Sequence, residues 1–387
     1  MDQFIHHLLD LTIAIQQIPA PTFHEAKRAE FVRARFAEEG LKNVEIDSTG
    51  NVYACFASDR QPPAHKSQPL IVSAHLDTVF PLNVDLRIRH DQGSIIAPGI
   101  GDNSLGVAGL FGLVWGLRER KLSLPGDLWL VANVCEEGLG NLRGMQAVVD
   151  RFEPRLEHNS RQPGLSRAET GLNPLAYIIV EGMALGQVYL RGLGVRRYRL
   201  NVQTAGGHSW IDYGKPSAIH ELTALSTRLT ALGLPRQPRT SLNVGVISGG
   251  SSINTIAAEA RLELDLRSEN SATLEDVVRQ VEQIVRTAQK PGVSIELKLI
   301  GQRPAGEIPA EHWLVRLAQE CLQEVGVGSH LITGSTDANL PLSLGLPAVT
   351  IGLTTGGRSH TVHEYLNIAP LGQGVEQLVR LVSRAWE

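Results

Sequence analysis

Cysteine is scarce in this chain: Cys55, Cys135 and Cys321 are three in 387 residues, odd in number and far apart. That speaks against a disulfide framework and for a reducing compartment, with the thiols as core residues. A basic stripe is missing too. The 36 Lys and Arg are mixed among 40 Asp and Glu, for a formal net charge of -4, so neither nucleic acid nor an anionic membrane is an expected partner. No run of about 18 apolar residues offers a membrane span. The N-terminus carries Asp2 and Asp10 in an amphipathic run, without the basic region and apolar stretch of a signal peptide, and a cytoplasmic location is expected.

Several catalytic signatures are absent as well. No serine stands in a Gly-x-Ser-x-Gly elbow, and Cys135 pairs with no obvious histidine, so serine or cysteine catalysis is unsupported. Gly138-Leu139-Gly140-Asn141-Leu142-Arg143-Gly144 has one residue too many for the dinucleotide fingerprint, and it follows two acids that repel a pyrophosphate. No internal repeat is present.

What is there is an ordinary globular composition, 42% apolar and 20% charged, in a chain longer than one hydrophobic core supports. Two domains are therefore expected. Helical spacing marks residues 1 to 17, 25 to 39 and 104 to 120, with a helix-breaking Ile18-Pro19-Ala20-Pro21-Thr22 loop between the first two. A hairpin is expected over 44 to 47 and 52 to 57, and buried strands over 70 to 74, 128 to 135 and 176 to 180, which predicts an α/β sheet. Residues 154 to 174 read as an exposed loop. From 187 to 300 the order becomes strand (187 to 204), helix, strand, strand, helix, strand, the split βαβ, ferredoxin-like unit. It reads as an insertion, because a helix (311 to 325) and a strand (348 to 352) then return to complete the first sheet.

Acids and imidazoles fall just past the ends of the buried strands, where α/β sheets place ligands. Leu70 to Ala74 runs into His75-Leu76-Asp77, Leu128 to Cys135 into Glu136-Glu137, and Ala176 to Val180 into Glu181. In an extended segment His75 and Asp77 share a face, so Asp77 can orient the imidazole of a metal ligand; a capped loop with a surface aspartate reads equally well. Asp102, in a glycine turn before a helix, is by itself more often a helix cap than a ligand. Adjacent Glu136 and Glu137 repel one another unless a cation or proton satisfies them, although an exposed turn also tolerates them. One of the two can ligate a metal while the other serves as a general base.

Taken in order, these motifs resemble the co-catalytic zinc peptidases and deacylases, the family of peptidase T, glutamate carboxypeptidase, aminoacylase, succinyl-diaminopimelate desuccinylase and acetylornithine deacetylase. The resemblance rests on Ile18 to Thr22 with Glu25, His75-x-Asp77, Gly101-Asp102-Asn103, Glu136-Glu137, Glu181-Gly182, Gly206-Gly207-His208-Ser209, Asn254 with Arg267, Ser335 to Asn339 and His360 to Glu364. It implies a catalytic domain with a mixed central sheet (1–186 and 301–387) and an inserted lid and dimerisation domain (187–300). It further implies two divalent metals, zinc or else cobalt or manganese, with Asp102 bridging, His75 and Glu181 on one ion, and Glu137 and His360 on the other.

His360 and His363 share one loop, and the resemblance selects His360 because the family's ligand lies four residues before a glutamate, here Glu364. His363 then reads as a rim side chain. Glu136 becomes the base acting on the attacking water and Asp77 the partner of His75. His208 becomes the oxyanion donor reaching a partner subunit across a homodimer. Asn254, Arg267 and Ser335 become substrate contacts, with Asn254 and Arg267 on a carboxylate. Without the resemblance, Arg267 reads as a surface strand residue and His208 as a turn residue. The implied activity is hydrolysis of an amide bond in a small peptide or N-acyl amino acid bearing a free carboxylate. Glu181 favours the carboxypeptidase and deacylase branches, where di- and tripeptidases carry Asp. The alternatives are an aminopeptidase or tripeptidase of the same family and, from another class, an inactive metal-binding dimeric scaffold.

Overall fold

The computed structural model describes residues 3–58, 68–153 and 172–387, so most of the loop expected at 154 to 174 lies outside the described residues. The backbone divides into two compact units, Met1–Gly192 with Glu307–Glu387, and Leu193–Gly306.

In the larger unit, Leu128–Asn133, Leu70–His75, Ala176–Glu181 and Ala348–Gly352 lie side by side in that order and run parallel. Nearly every one of their residues is buried, which explains continuous apolar runs in place of alternation. Antiparallel Val52–Phe56 and Lys42–Ile46 extend this sheet on one side, and Gln187–Gly192 with His330–Gly334 on the other. Helix Gly106–Glu119 packs against Leu70–His75 and between helices Gln3–Gln16 and Leu371–Arg384. Gly116 permits this approach, since a Cβ there would lie 2.7 Å from a methyl of Val379. The segment Ile100–Glu119 has the length and apolarity of a membrane span, yet 89% of its most apolar window is buried inside the unit, as in a core helix. Cys55, Cys135 and Cys321 are buried free thiols.

The smaller unit has the strand order Thr240–Gly249, Glu259–Ser268, Gly194–Thr204, Val293–Arg303, all antiparallel, with helices Ala218–Thr230 and Ser271–Ala288. Leu200, Val202, Leu262, Leu264 and Leu266 alternate toward the helices and form the core with Leu222, Leu225, Val278 and Val281. Between them, Arg197–Asp265 and Arg199–Glu263 pair across the strands on the other face. The fold class is therefore α/β with a mixed central sheet plus a separate antiparallel α+β unit.

Two elements differ from their sequence expectation. The strand expected over 187 to 204 is two strands broken at Leu193, because Gln187–Gly192 pairs parallel with His330–Gly334 in the larger unit. The strand expected to reach Cys135 stops at Asn133. Beyond it Val134 N–H is taken by Asn51 Oδ1 at 3.0 Å, and Cys135 adopts a left-handed φ of 59°.

Helix Ala26–Glu38 carries Arg28 on its buried stripe with Ala29, Val32 and Phe36. The guanidinium donates from Nη1 to Leu76 O at 2.8 Å and from Nε and Nη2 to Ile18 O at 3.0 and 2.6 Å. Burial lowers its pKa to about 10, with Asp77 and Glu25 acting the other way, so it stays cationic. It ties the Ile18 loop to the residue between His75 and Asp77. Arg28→Ala takes these donors from the buried Leu76 carbonyl and the part-buried Ile18 carbonyl and should lower unfolding stability by about 3 kcal/mol in urea titration. A loss within error would show that these bonds hold nothing together.

Candidate metal centre

Parallel strands end on one edge of a sheet, and here that edge gathers the acids. His75 is the last residue of its strand, Glu181 the last of the neighbouring one, and Glu136 and Glu137 follow the left-handed Cys135. Asp102 lies in the irregular turn Ile100–Leu105 that opens helix Gly106–Glu119, and His360 sits in the loop after Gly356–Gly357 with φ 65°.

Asp102 joins two groups of donors. Its Oδ1 is 3.1 Å from His75 Nε2, and its Oδ2 is 3.3 Å from His360 Nε2. His75 Nε2 also lies 3.6 Å from Glu181 Oε2, and His360 Nε2 lies 3.1 Å from Glu137 Oε1. In each triad, His75–Asp102–Glu181 and Asp102–Glu137–His360, one donor atom per residue lies within 4.8 Å of the others. Glu136 falls into a third such group with His75 and Glu137.

Asp77 is fully buried, and its carboxylate organises the neighbouring loop more than the imidazole. Oδ1 accepts from Glu136 N at 2.9 Å, while Oδ2 accepts from Glu137 N and Thr22 Oγ1, both at 2.9 Å. The nearer partner of His75 Nδ1 is the Asp77 backbone oxygen at 3.0 Å, with carboxylate Oδ1 at 3.6 Å. A proton on Nδ1 directed at that carbonyl leaves Nε2 facing Asp102 and Glu181.

Two residues that sequence reasoning did not assign hold Asp102 and Glu181. Glu364, fully buried, accepts from Gly101 N at 2.8 Å and Asp102 N at 2.9 Å, which fixes the bridging aspartate's backbone. Asn103 accepts from Gly182 N at 3.0 Å and donates to Val180 O at 2.9 Å, gripping the chain on both sides of Glu181. The signal was present in the motifs, since Glu364 served only to select His360, and Asn103 only as a neighbour of Asp102.

Five carboxylates meet two imidazoles here, and the charge excess shows in their titration. Burial opposes a charge on His75, yet Glu181, Asp102 and Asp77 raise its pKa well above the usual imidazole range. Hydrogen bonds to Asp102 and Glu137 raise His360 to about 10. Burial raises Asp102, but bonds from His360 and His75 outweigh it and lower its pKa. Burial is also the largest cause of the raised pKa of Glu181, with Asp102 and Asp337 adding to it. A cluster that draws protons onto both imidazoles is one that divalent cations neutralise, and imidazole nitrogen with carboxylate oxygen is a donor set for zinc, cobalt or manganese. The residues fit two such ions, with Asp102 shared.

The other sequence candidates are not part of these donor groups. His363 is exposed, with Nδ1 3.1 Å from Arg89 Nη2. Ser335 follows strand His330–Gly334 on the loop to buried Asp337, which accepts from Asn133 Nδ2 at 2.7 Å. In the smaller unit, His208 and Asn254 are neighbours, because Gly207–His208 pairs with Thr255–Ile256 and Ser209 N donates to Asn254 O at 3.0 Å. The His208 ring is exposed, its Nδ1 accepting from Trp210 N and Ile211 N. Arg267 sits toward the other end of strand Glu259–Ser268, donating to Asp265 Oδ2 at 2.6 Å. At about 3.3 Å per residue the strand separates Arg267 from Asn254, so they do not form one clamp within a chain.

Comparison with known proteins agrees with this geometry. Residues 71–384 match Peptidase family M20/M25/M40. The uncharacterized protein YqjE of Bacillus subtilis is 22% identical over 394 residues, 98% of each chain. A probable carboxypeptidase of Aspergillus clavatus is 29% identical over 264 residues, 63% of this chain and 54% of the relative. Among solved structures, a tripeptidase from Staphylococcus aureus superposes with a TM-score of 0.78 at 19% identity, covering 99% of this chain and 98% of that one. The M20 metallo-carboxypeptidase Sso-CP2 of Sulfolobus solfataricus gives 0.77 at 14% identity, with both chains covered completely at 100%. These structural likenesses carry the fold, and the family match carries the chemistry: the chain belongs to Peptidase family M20/M25/M40 and is a metallohydrolase.

Proposed function

We propose that the chain hydrolyses the amide bond of a small peptide or N-acyl amino acid bearing a free carboxylate, with Glu136 as general base. The observation that carries this reading is the placement of Glu136 beside His75 and Glu137, with its backbone N–H fixed on Asp77. His75, Asp102 and Glu181 would hold one divalent ion and Asp102, Glu137 and His360 the other, and zinc suits this donor set. Such ions supply Lewis acidity toward a carbonyl and lower the pKa of water.

The chain's own residues do the rest. Glu136, only 5% exposed, takes the proton from the attacking water and delivers it to the leaving nitrogen. Asp77 fixes both the imidazole tautomer and the Glu136–Glu137 backbone, so base and ligand keep their spacing. In this reading Arg267, Asn254 and Ser335 receive the substrate, with a guanidinium fork suited to a carboxylate. Glu181 favours a carboxypeptidase or deacylase. Assay of a panel of N-acyl amino acids and dipeptides discriminates: cleavage restricted to peptides with a free amino terminus would instead make it an aminopeptidase.

His208 acts in this proposal on the active site of a second copy. Support comes from the apolar side chains that surround it without cover, Trp210 at 85% and Tyr213 at 89% exposure, with Ile253 also exposed. The separation of Asn254 from Arg267 supports it as well, because a joint grip on one carboxylate needs them from different chains.

If Glu136 acts on water while Glu137 binds metal, Glu136→Gln keeps its metal content and loses roughly 100-fold to 10,000-fold in turnover, whereas Glu137→Gln loses metal. Equal metal loss in both variants voids this division. For the dimer, inactive His208→Ala and Glu136→Ala chains are mixed under conditions of subunit exchange. Activity returns in part, since one site per mixed dimer is complete; demonstrated exchange without activity sinks the shared site.

A further inference from the structure

Phe23 occupies a position that the fold does not reserve for an aromatic residue. His24 N donates to Pro21 O at 2.8 Å, closing a tight turn in which Phe23 is the third residue, with φ 75°. That conformation belongs to glycine, and a side chain there is strained. The ring is nevertheless 51% exposed and, among the described residues, is not part of the apolar core. It is steadied by the Arg143 guanidinium, 4.9 Å from its centroid. A strained backbone that holds an apolar ring in solvent points to use of the ring.

Its surroundings say what that use is. Thr22 Oγ1 donates to Asp77 Oδ2 at 2.9 Å and lies 3.5 Å from Glu137 O, while Thr78 N donates to Ala20 O at 2.8 Å. These bonds draw three loops together beside the carboxylates. Each presents an exposed apolar side chain within two residues of a bonded group: Phe23 after Thr22, Val79 (40% exposed) after Asp77, and Leu139 (45% exposed) after Glu137. Among the described residues, none of the three belongs to the larger unit's apolar core, and each follows within two residues a group bonded beside the carboxylates.

Building on the amide-hydrolase reading, we propose that Phe23, Val79 and Leu139 form an apolar lip that receives an apolar side chain or acyl chain of the substrate, so the preferred substrates are hydrophobic amino-acid derivatives. Arg143 positions the ring, and the lip sets specificity without touching the scissile bond.

The test is calorimetric binding to metal-loaded Glu136→Gln protein, which need not turn over, using N-acetylphenylalanine, phenylacetylglycine and N-acetylglycine. The first two should bind more tightly than N-acetylglycine, and this preference should fall about tenfold in Phe23→Ala and in Phe23→Gly backgrounds. Sensitivity of N-acetylphenylalanine alone assigns the lip to a side chain, and of phenylacetylglycine alone to an acyl chain. Phe23→Gly should also match or exceed the parent in thermal midpoint, because glycine relieves the turn; a merely structural Phe23 would lower it. Equal or undetectable binding of the three ligands by the parent, or a preference that survives both substitutions, overturns the lip. Turnover of the wild-type enzyme is measured separately. Its absence alongside lip-dependent binding would defeat the hydrolase reading and leave the lip standing.

Discussion

The carboxylate of Asp102 lies between two imidazoles, one oxygen 3.1 Å from His75 and the other 3.3 Å from His360, with Glu181 and Glu137 completing the two sides. Like charges brought this close and largely out of water repel strongly. Protons or cations must answer that repulsion, and the raised pKa values of both imidazoles show how strongly the cluster calls for positive charge. The surrounding structure can be understood as what keeps the acids together against it.

That restraint is built from hydrogen bonds to backbone, not from the ligands themselves. Asp77 takes the N–H groups of Glu136 and Glu137, Glu364 takes those of Gly101 and Asp102, and Asn103 spans Glu181. Arg28 brings a buried positive charge behind Asp77 and clamps the chain at Leu76. The segments of His75, Asp102, Glu137 and Glu181 are therefore each held by a side chain from another segment, which keeps these donors at fixed spacing. The same bonds place the Thr22 turn and the Glu137 loop together and expose Phe23 at the edge of the site.

The ligand-bearing part of this arrangement was legible in the sequence because buried parallel strands read as short apolar runs, and acids at their ends stand out. The apolar runs that lead into His75, Glu136-Glu137 and Glu181 illustrate it. Strand limits were less legible: Cys135 is apolar and looks like strand, yet its backbone turns left-handed. Very short strands carry no periodicity to detect, and Tyr365–Asn367 exists only through its distant partner Ser94–Ile96. Arg28 was detectable in principle as a lone cation on the apolar stripe of its helix. The pairing of Glu364 with Asp102 was not, since 262 residues separate them and only the fold brings them into contact.

If Asp102 serves two ions at once, metal content per folded chain measures it directly. Wild-type protein should carry about two divalent ions, His360→Ala about one, and Asp102→Ala essentially none. An Asp102→Ala protein that is folded and keeps both ions, or a wild-type protein that takes up neither zinc, cobalt nor manganese, would contradict it.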